Sequence, residues 1–244
     1  MKISSIVVLT GAGISAESGI RTFRDSQGLW EQHKIEDVAS IEGFQKNPEL
    51  VHHFYNLRRQ QLLSSEVHPN AAHLALARLE KEFPGYFLLV TQNVDDLHER
   101  AGSKNMIHMH GELLKARCVF SDEISEIRRD LSPDSICPCC GKKNSLRPHI
   151  VWFGEVPLEM HRIYSALEKC DLFISIGTSG NVYPAAGFVE AVNPNTKTIE
   201  VNLERSLVAN SFQEHRIGNA TRLVPALVEE IMASHCPHRV NQTP

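Results

Sequence analysis

The stretch Ile6-Val7-Val8-Leu9-Thr10-Gly11-Ala12-Gly13-Ile14-Ser15-Ala16-Glu17-Ser18-Gly19 decides how this chain is read. Its first five residues are continuously apolar and β-branched rather than alternating, which suits a parallel strand covered on both faces. The glycines that follow mark a tight turn from that strand into a helix. Such a turn lets backbone amides approach a phosphate, with the helix N-terminus adding positive potential. By itself the Gly-x-Gly-x-x-Ala spacing is a weak signal, and the acidic residue expected about 20 positions on, at the end of a second strand, is missing. Glu31 has nearly the right offset but stands in a polar region. Ordinary dehydrogenase logic is poorly supported.

Working outward, three more runs of the same kind recur: Phe87-Leu88-Leu89-Val90-Thr91, Leu172-Phe173-Ile174-Ser175-Ile176 and Thr198-Ile199-Glu200-Val201-Asn202-Leu203. Helical patterns lie between them. One begins at Asn70, after Pro69, with Leu74, Ala77 and Leu79 on its inner side; Leu223, Leu227 and Ile231 mark another near the C-terminus. The alternation predicts an α/β fold with a Rossmann-like, doubly wound parallel sheet. Two stretches break the rhythm. Residues 30–65 are mostly polar and helical in pattern, with no strand signal. Residues 112–150 hold four of the six cysteines and no long periodic run. Both are expected to form a small zinc-binding and helical satellite against a core of 1–29, 66–111 and 151–244, within a single domain spanning 1–244.

Composition narrows the function classes. At 244 residues with 42% hydrophobic and 22% charged, the chain matches ordinary globular proteins, which excludes disordered and collagen-like classes. A net charge of −4 leaves no basic excess for a nucleic-acid backbone or an anionic membrane. The apolar run Ile6 to Leu9 is too short for a secretory signal or a span of about 20 residues. A cytoplasmic protein with reduced thiols is expected.

Three segments carry chemistry. Thr91-Gln92-Asn93-Val94-Asp95-Asp96-Leu97-His98 follows the second strand, and polar groups at such an end face the ligand crevice of an open α/β sheet. The plainer reading is an Asx-capped turn into a helix. In His108-Met109-His110-Gly111, alternation would put both histidines on one face of a short strand, as a metal pair or as structural residues. Gly111 makes His110 the one expected to face an open site, where a general base would need no metal. Cys118 and the Cys137-Pro138-Cys139-Cys140-Gly141 knuckle suggest a structural zinc site. Cys137 and Cys140 have good spacing, but Ser121 stands where a partner for Cys118 belongs. Metal is expected on Cys118, Cys137 and Cys140, with Cys139, Asp122 or water left for the fourth position; the alternative is a vestigial site without zinc.

Together these segments resemble the sirtuins, NAD-dependent protein-lysine deacylases, and most closely their bacterial CobB-type, desuccinylase-like class III members. The resemblance covers nearly the whole chain. It runs through Gly11-Ala12-Gly13-Ile14-Ser15, Gly19-Ile20-Arg21-Thr22-Phe23-Arg24, Gln92-Asn93-Val94-Asp95, His108-Met109-His110-Gly111, the stretch from Leu146 to Glu155, Gly177-Thr178-Ser179 and Val201-Asn202-Leu203-Glu204. Two departures stand out: Arg21-Thr22, where many sirtuins carry Pro-Asp, and Ser121 in place of a zinc cysteine.

The resemblance implies a Rossmann-like domain plus a small module, with NAD and acyl-lysine meeting between them. NAD would be held by Gly11, Ala12, Gly13, Ser15, Glu17, Ser18, Phe23 and Arg24, by Gln92, Asn93 and Asp95 at the nicotinamide, and by Gly177, Thr178 and Ser179. Asn202, Leu203, Glu204 and Ala220 would meet the adenosine end. It implies that NAD is consumed: the acyl oxygen attacks the ribose carbon as nicotinamide leaves, and a base then activates a ribose hydroxyl. His110 matches that base, with Asn93 and Asp95 as its catalytic companions. Products would be free lysine, nicotinamide and O-acyl-ADP-ribose. Acylated-lysine proteins would be the partners, bound as an added strand between the 151–155 segment, with Val151, Phe153 and Gly154 in contact, and the 180–183 segment. Tyr55 and Arg58, three apart on a helix, match the pair with which desuccinylases hold an acidic acyl chain, and Ala39 matches a residue that widens their pocket. Succinyl and malonyl removal is expected beside deacetylation; a mono-ADP-ribosyltransferase is the alternative.

Overall fold

The computed structural model describes residues 3–20, 29–30 and 33–235. In chain order the strands are β1 (Ser5–Thr10), β2 (Leu29–Trp30), β3 (His33–Lys34), β4 (Tyr86–Thr91), β5 (Met106–His108), β6 (Gly111–Cys118), β7 (Ile124–Glu126), β8 (Leu146–Ile150), β9 (Leu172–Ile176), β10 (Lys197–Asn202) and β11 (Glu214–Ile217). The α-helices are α1 (Ala12–Ser15), α2 (Ile35–Val38), α3 (Ile41–Lys46), α4 (Pro48–Leu62), α5 (Ala71–Glu82), α6 (Leu97–Ala101), α7 (Met160–Lys169) and α8 (Ala220–His235).

A six-stranded, wholly parallel sheet in the order β11-β10-β9-β1-β4-β5 forms the centre. All four apolar runs read from the sequence lie in it, and two short edge strands complete it. Alternation within each strand feeds two cores. Ile6, Val8, Phe87 and Leu89 pack against Leu76, Leu79, Val224 and Leu227 of α5 and α8, whereas Val7, Leu9, Leu88 and Val90 meet Ile163 and Leu167 of α7 and Phe188. Continuous apolarity thus reflects burial on both faces. The inner side of α5 differs from expectation: Leu74 is 54% exposed, and Ala72, His73, Leu76 and Leu79 point inward. The helix register is set at its start, where Asn70 caps the Ala72 amide and its own amide donates to the His73 ring.

The topology also locates the site. From β1 the chain adds β4 and β5 on one side, then crosses back to β9, β10 and β11 on the other. The ends of β1 and β9 therefore flank a switch point, where ligands bind in open α/β sheets. Residues 33–62 supply α2, α3 and α4. The 111–150 region, which shows no strand periodicity, folds as a three-stranded antiparallel sheet in the order β7-β6-β8. β6 is eight residues long, but a register shift in its pairing with β8 between Gly111 and Ala116 interrupts its alternation, and β7 spans only three residues, so no clean periodicity announces the sheet.

Candidate active site

At the switch point two glycine turns lock together. Gly11 donates to Ile176 O and Gly13 to Gly177 O. A Cβ on Gly13 would stand 2.7 Å from the Gly177 Cα, and Gly177 itself has φ +65°. Close backbone packing, rather than two amides held open for a phosphate, is what requires glycine at positions 11 and 13. The helix after the turn is also shorter than expected: α1 is four residues and gives way to a 3-10 turn at Ala16–Ser18.

From this junction opens a cleft of about 320 Å³. Gly11, Ala12, Gly13 and Ser15 line it, with Gly177, Thr178, Ser179 and Asn202 opposite and Gln92, Asn93, Asp95 and His110 along one wall. Ala39, Tyr55, Val151, Trp152, Phe153, Gly154, Val182 and Tyr183 border the same space. Asn202 holds the turn after β9 through its amide on Thr178 O. Five of the described NAD-binding candidates are not among those lining it. Glu17 accepts from Asn219 and Thr221 at the start of α8, and these bonds overcome the burial that opposes its charge, lowering its pKa. Ser18 accepts from Asn70. Leu203 and Glu204 are exposed, and Ala220 is buried in the core. Phe23 and Arg24 lie outside the described residues.

Buried polar groups build the wall after β4. Ser15 Oγ donates to Asp95 Oδ2 and accepts from Asn93 Nδ2, while Asn93 Nδ2 also reaches Gly11 O. Asp95 Oδ1 accepts from the Leu97 amide, so the Asx turn is real and serves the site as well as α6. Burial pushes the Asp95 carboxyl up to about 6 against these hydrogen bonds.

His110 follows the end of β5 rather than lying in it. Its Nδ1 lies 3.2 Å from Gln92 O. A carbonyl only accepts, so Nδ1 carries the proton and Nε2 keeps its lone pair. Burial holds the ring below the ordinary histidine pKa, with the Gln92 carbonyl acting against it. A neutral imidazole of this kind is ready to take a proton. Gly111, read as a sign of openness, is required because a Cβ there would stand 2.1 Å from His149 O, at φ +86°. His108 departs from the shared-face expectation: it does not line the cleft and bonds Asn93 O and Glu99 instead.

At the other end the Tyr55 hydroxyl accepts from Trp152 Nε1 at 3.0 Å. Burial raises its pKa, keeping the phenol neutral. Trp152, which sequence reading did not single out, is fixed in turn: Arg147 lies 3.5 Å over its ring and forms a two-pronged pair with Glu155. Phe153 N donates to Ala39 O, joining the two sides of this end. Arg58 is not among the lining residues; its guanidinium stacks on Phe54 at 3.2 Å and donates to Phe54 O.

Away from the cleft, the sulfurs of Cys118, Cys137, Cys139 and Cys140 all lie within 4.8 Å of one another. Cys118 to Cys140 is 3.8 Å and Cys137 to Cys139 is 3.2 Å. Four sulfurs around one zinc stand about 3.8 Å apart, so the set fits that ion. Cys139 supplies the fourth thiol, and Ser121 Oγ sits beside it at 3.3 Å. Cys170 is buried in the core.

Comparison with known proteins agrees with this geometry. Residues 11–184 match the Sir2 family. The chain is 61% identical over 228 residues to the NAD-dependent protein deacylase of Pasteurella multocida (strain Pm70), covering 93% of this chain and 97% of that one. Among solved structures it is similar to a Sir2 homologue in complex with NAD, with TM-score 0.85 and 38% identity over 94% of this chain and 90% of the other. A mutant Sir2 homologue in complex with 2'-O-acetyl ADP ribose gives TM-score 0.86 and 36% identity, covering 98% and 96%.

Proposed function

The chain belongs to the Sir2 family, and on that premise we propose that it is an NAD-dependent protein-lysine deacylase that removes succinyl and malonyl groups as well as acetyl groups. The observation that carries this reading is one cleft lined both by the buried polar group around His110 and by Tyr55 and Ala39. In this reading the cleft lies between a Rossmann-like core (1–29, 66–111, 151–244) and a small module made from 30–65 and 112–150.

When bound, NAD supplies an electrophilic ribose carbon with nicotinamide as leaving group. The chain does the rest. Asn93 and Asp95, cross-linked through Ser15, hold the nicotinamide end and exclude water. His110 Nε2 takes the proton from the ribose hydroxyl, while its Nδ1–H stays on Gln92 O. The locked turns at Gly11–Gly13 and Gly177–Ser179 support the pyrophosphate, and Asn202 the adenosine ribose. An acylated peptide adds as a strand along Val151, Phe153 and Gly154, where main-chain pairing makes few demands on sequence. Tyr55 accepts from Trp152; in this reading its phenol proton and the Arg58 guanidinium, which leaves its stack on Phe54, hold a terminal carboxylate of the acyl chain. Cys118, Cys137, Cys139 and Cys140 would hold a structural zinc ion, which would tie β6 to the 137–141 knuckle.

Incubating the protein with NAD and succinylated, malonylated or acetylated peptides, and identifying products by mass, tests the reading. Free-lysine peptide, nicotinamide and O-acyl-ADP-ribose are expected in equal amounts. ADP-ribose left on protein, with the acyl group intact, would instead establish a mono-ADP-ribosyltransferase.

A further inference from the structure

Two histidines, two residues apart, grip consecutive carbonyls of one loop. His110 holds Gln92 O, and His108 Nδ1 lies 3.0 Å from Asn93 O. The second nitrogens differ. His110 turns its own to the cleft, whereas His108 Nε2 meets Oε1 of Glu99 at 2.5 Å. A carbonyl and a carboxylate only accept, so satisfying both requires a proton on each nitrogen of His108. A ring that satisfies both partners is an imidazolium.

We propose that His108 is a positioning residue: held as a cation by Glu99, it pins the Gln92–Asp95 loop in the arrangement that receives nicotinamide, and alkaline pH releases the pin. The route is short. Glu99 on α6 holds His108 at the end of β5, and His108 holds the Asn93 main chain. The Asn93 side chain then bonds Gly11 and Ser15, and Ser15 bonds Asp95. One cation therefore fixes a loop whose side chains form the cleft wall, without touching substrate itself.

The charges around the ring favour this state. Glu99 faces it from α6, Asp95 from the loop and Glu112 from β6, the last paired with Lys115 at 2.7 Å. His98 on α6 is kept neutral by its burial. Burial of His108 opposes its charge, but the bond and charge of Glu99 prevail and raise its pKa. A raised folded value means the stabilisation is complete below the ordinary histidine range and is lost as pH climbs through the raised one. Glu99, His108 and Glu112 also lie close enough together to suggest a metal site. Proton and metal would compete for the same His108 Nε2, so zinc is one arm of the test.

This inference rests on the cleft being a nicotinamide site, and its test has a readout that does not. The first measurement is a nitrogen NMR titration of His108 in the wild type and Glu99→Gln, with His108→Gln giving the assignment. The second is nicotinamide inhibition of deacylation from pH 7 to pH 9.5, with melting curves confirming that each variant is folded. Both ring nitrogens should be protonated at pH 7, and inhibition should weaken about tenfold as they titrate, one unit of pH in binding terms. Glu99→Gln should move both transitions down by about one unit, leaving the KM for acyl-peptide unchanged. A neutral His108 at pH 7 overturns the proposal. So does an inhibition profile identical in Glu99→Gln and wild type, or micromolar zinc displacing the Nε2 proton. Absence of any nicotinamide release would sink the deacylase reading instead, and the NMR titration would still decide the charge of His108.

Discussion

The six-stranded parallel sheet and the three-stranded antiparallel sheet bury very different amounts of apolar surface. Strands β1, β4, β9 and β10 feed two cores flanked by α5, α7 and α8. At the cysteine end of the small sheet the buried cluster is Ala116, Cys118, Ile127, Leu131, Cys137 and Leu146, so two of its six members are thiols, whereas Leu113 and Ile150 at the other end join the core of α4. The large core can carry an unfavourable polar cluster such as Ser15, Asn93 and Asp95 at its edge. The small one needs a cross-link to persist, as small domains generally do.

The sharpest test of this contrast is His110→Ala. Losing the base should lower deacylation about 10²- to 10⁴-fold on every acyl type, with the melting temperature nearly unchanged because His110 is not part of either core. Steady-state rates beside a thermal melt would show it, and full activity in the folded variant would remove His110 from the mechanism.

The small sheet should behave in the opposite way. Cys137→Ser, or a strong chelator, should lower the melting temperature by on the order of 10 °C. Activity assayed well below that melt should survive. Elemental analysis should find one zinc per chain in the wild type; far less would mean that this sheet stands without a staple.

Within the cleft, the two ends should separate by substrate. Arg58→Met is expected to raise the KM for succinyl-lysine roughly ten- to a hundredfold, the worth of one charge-assisted bond. The KM for acetyl-lysine should change by no more than about threefold. An equal loss on both would mean that Arg58, packed on Phe54, supports α4 rather than selecting the acyl group.

The smallest effect concerns what the polar wall costs. The Asp95 carboxyl is raised to about 6 by burial, so its ionised form is disfavoured in the folded state. The cost grows as pH rises above the unfolded value and is complete above 6. Asp95→Asn should therefore raise the melting temperature by several degrees at pH 8, corresponding to about 3 kcal/mol, and by far less at pH 4, while impairing deacylation. A melting difference independent of pH would refute that assignment.

Much of this was legible before folding. The four apolar runs announce a doubly wound sheet because each must be covered on both faces, and a strand's own composition records that. Asn70 announces its helix because capping is satisfied within three residues. The Gln92–Asp95 and His108–Gly111 segments are recognisable because their residue types and order are unusual for plain structure. Leu74 misleads for a related reason: apolarity signals burial on average, but only packing says which apolar residues turn inward.

Other features needed the tertiary structure. No local pattern says that Gly13 will lie against Gly177, since β1 and β9 are paired from distant parts of the chain. Nothing in His108-Met109-His110 separates a cation held by Glu99 from a neutral base facing the cleft. Cys139 becomes a zinc-fitting thiol because the knuckle folds back on Cys118, and Trp152 matters because its indole meets Tyr55 from 97 positions away. Sequence encodes conformation where the deciding interactions are local. The charge, tautomer and reach of a side chain depend on partners brought together only by long-range packing.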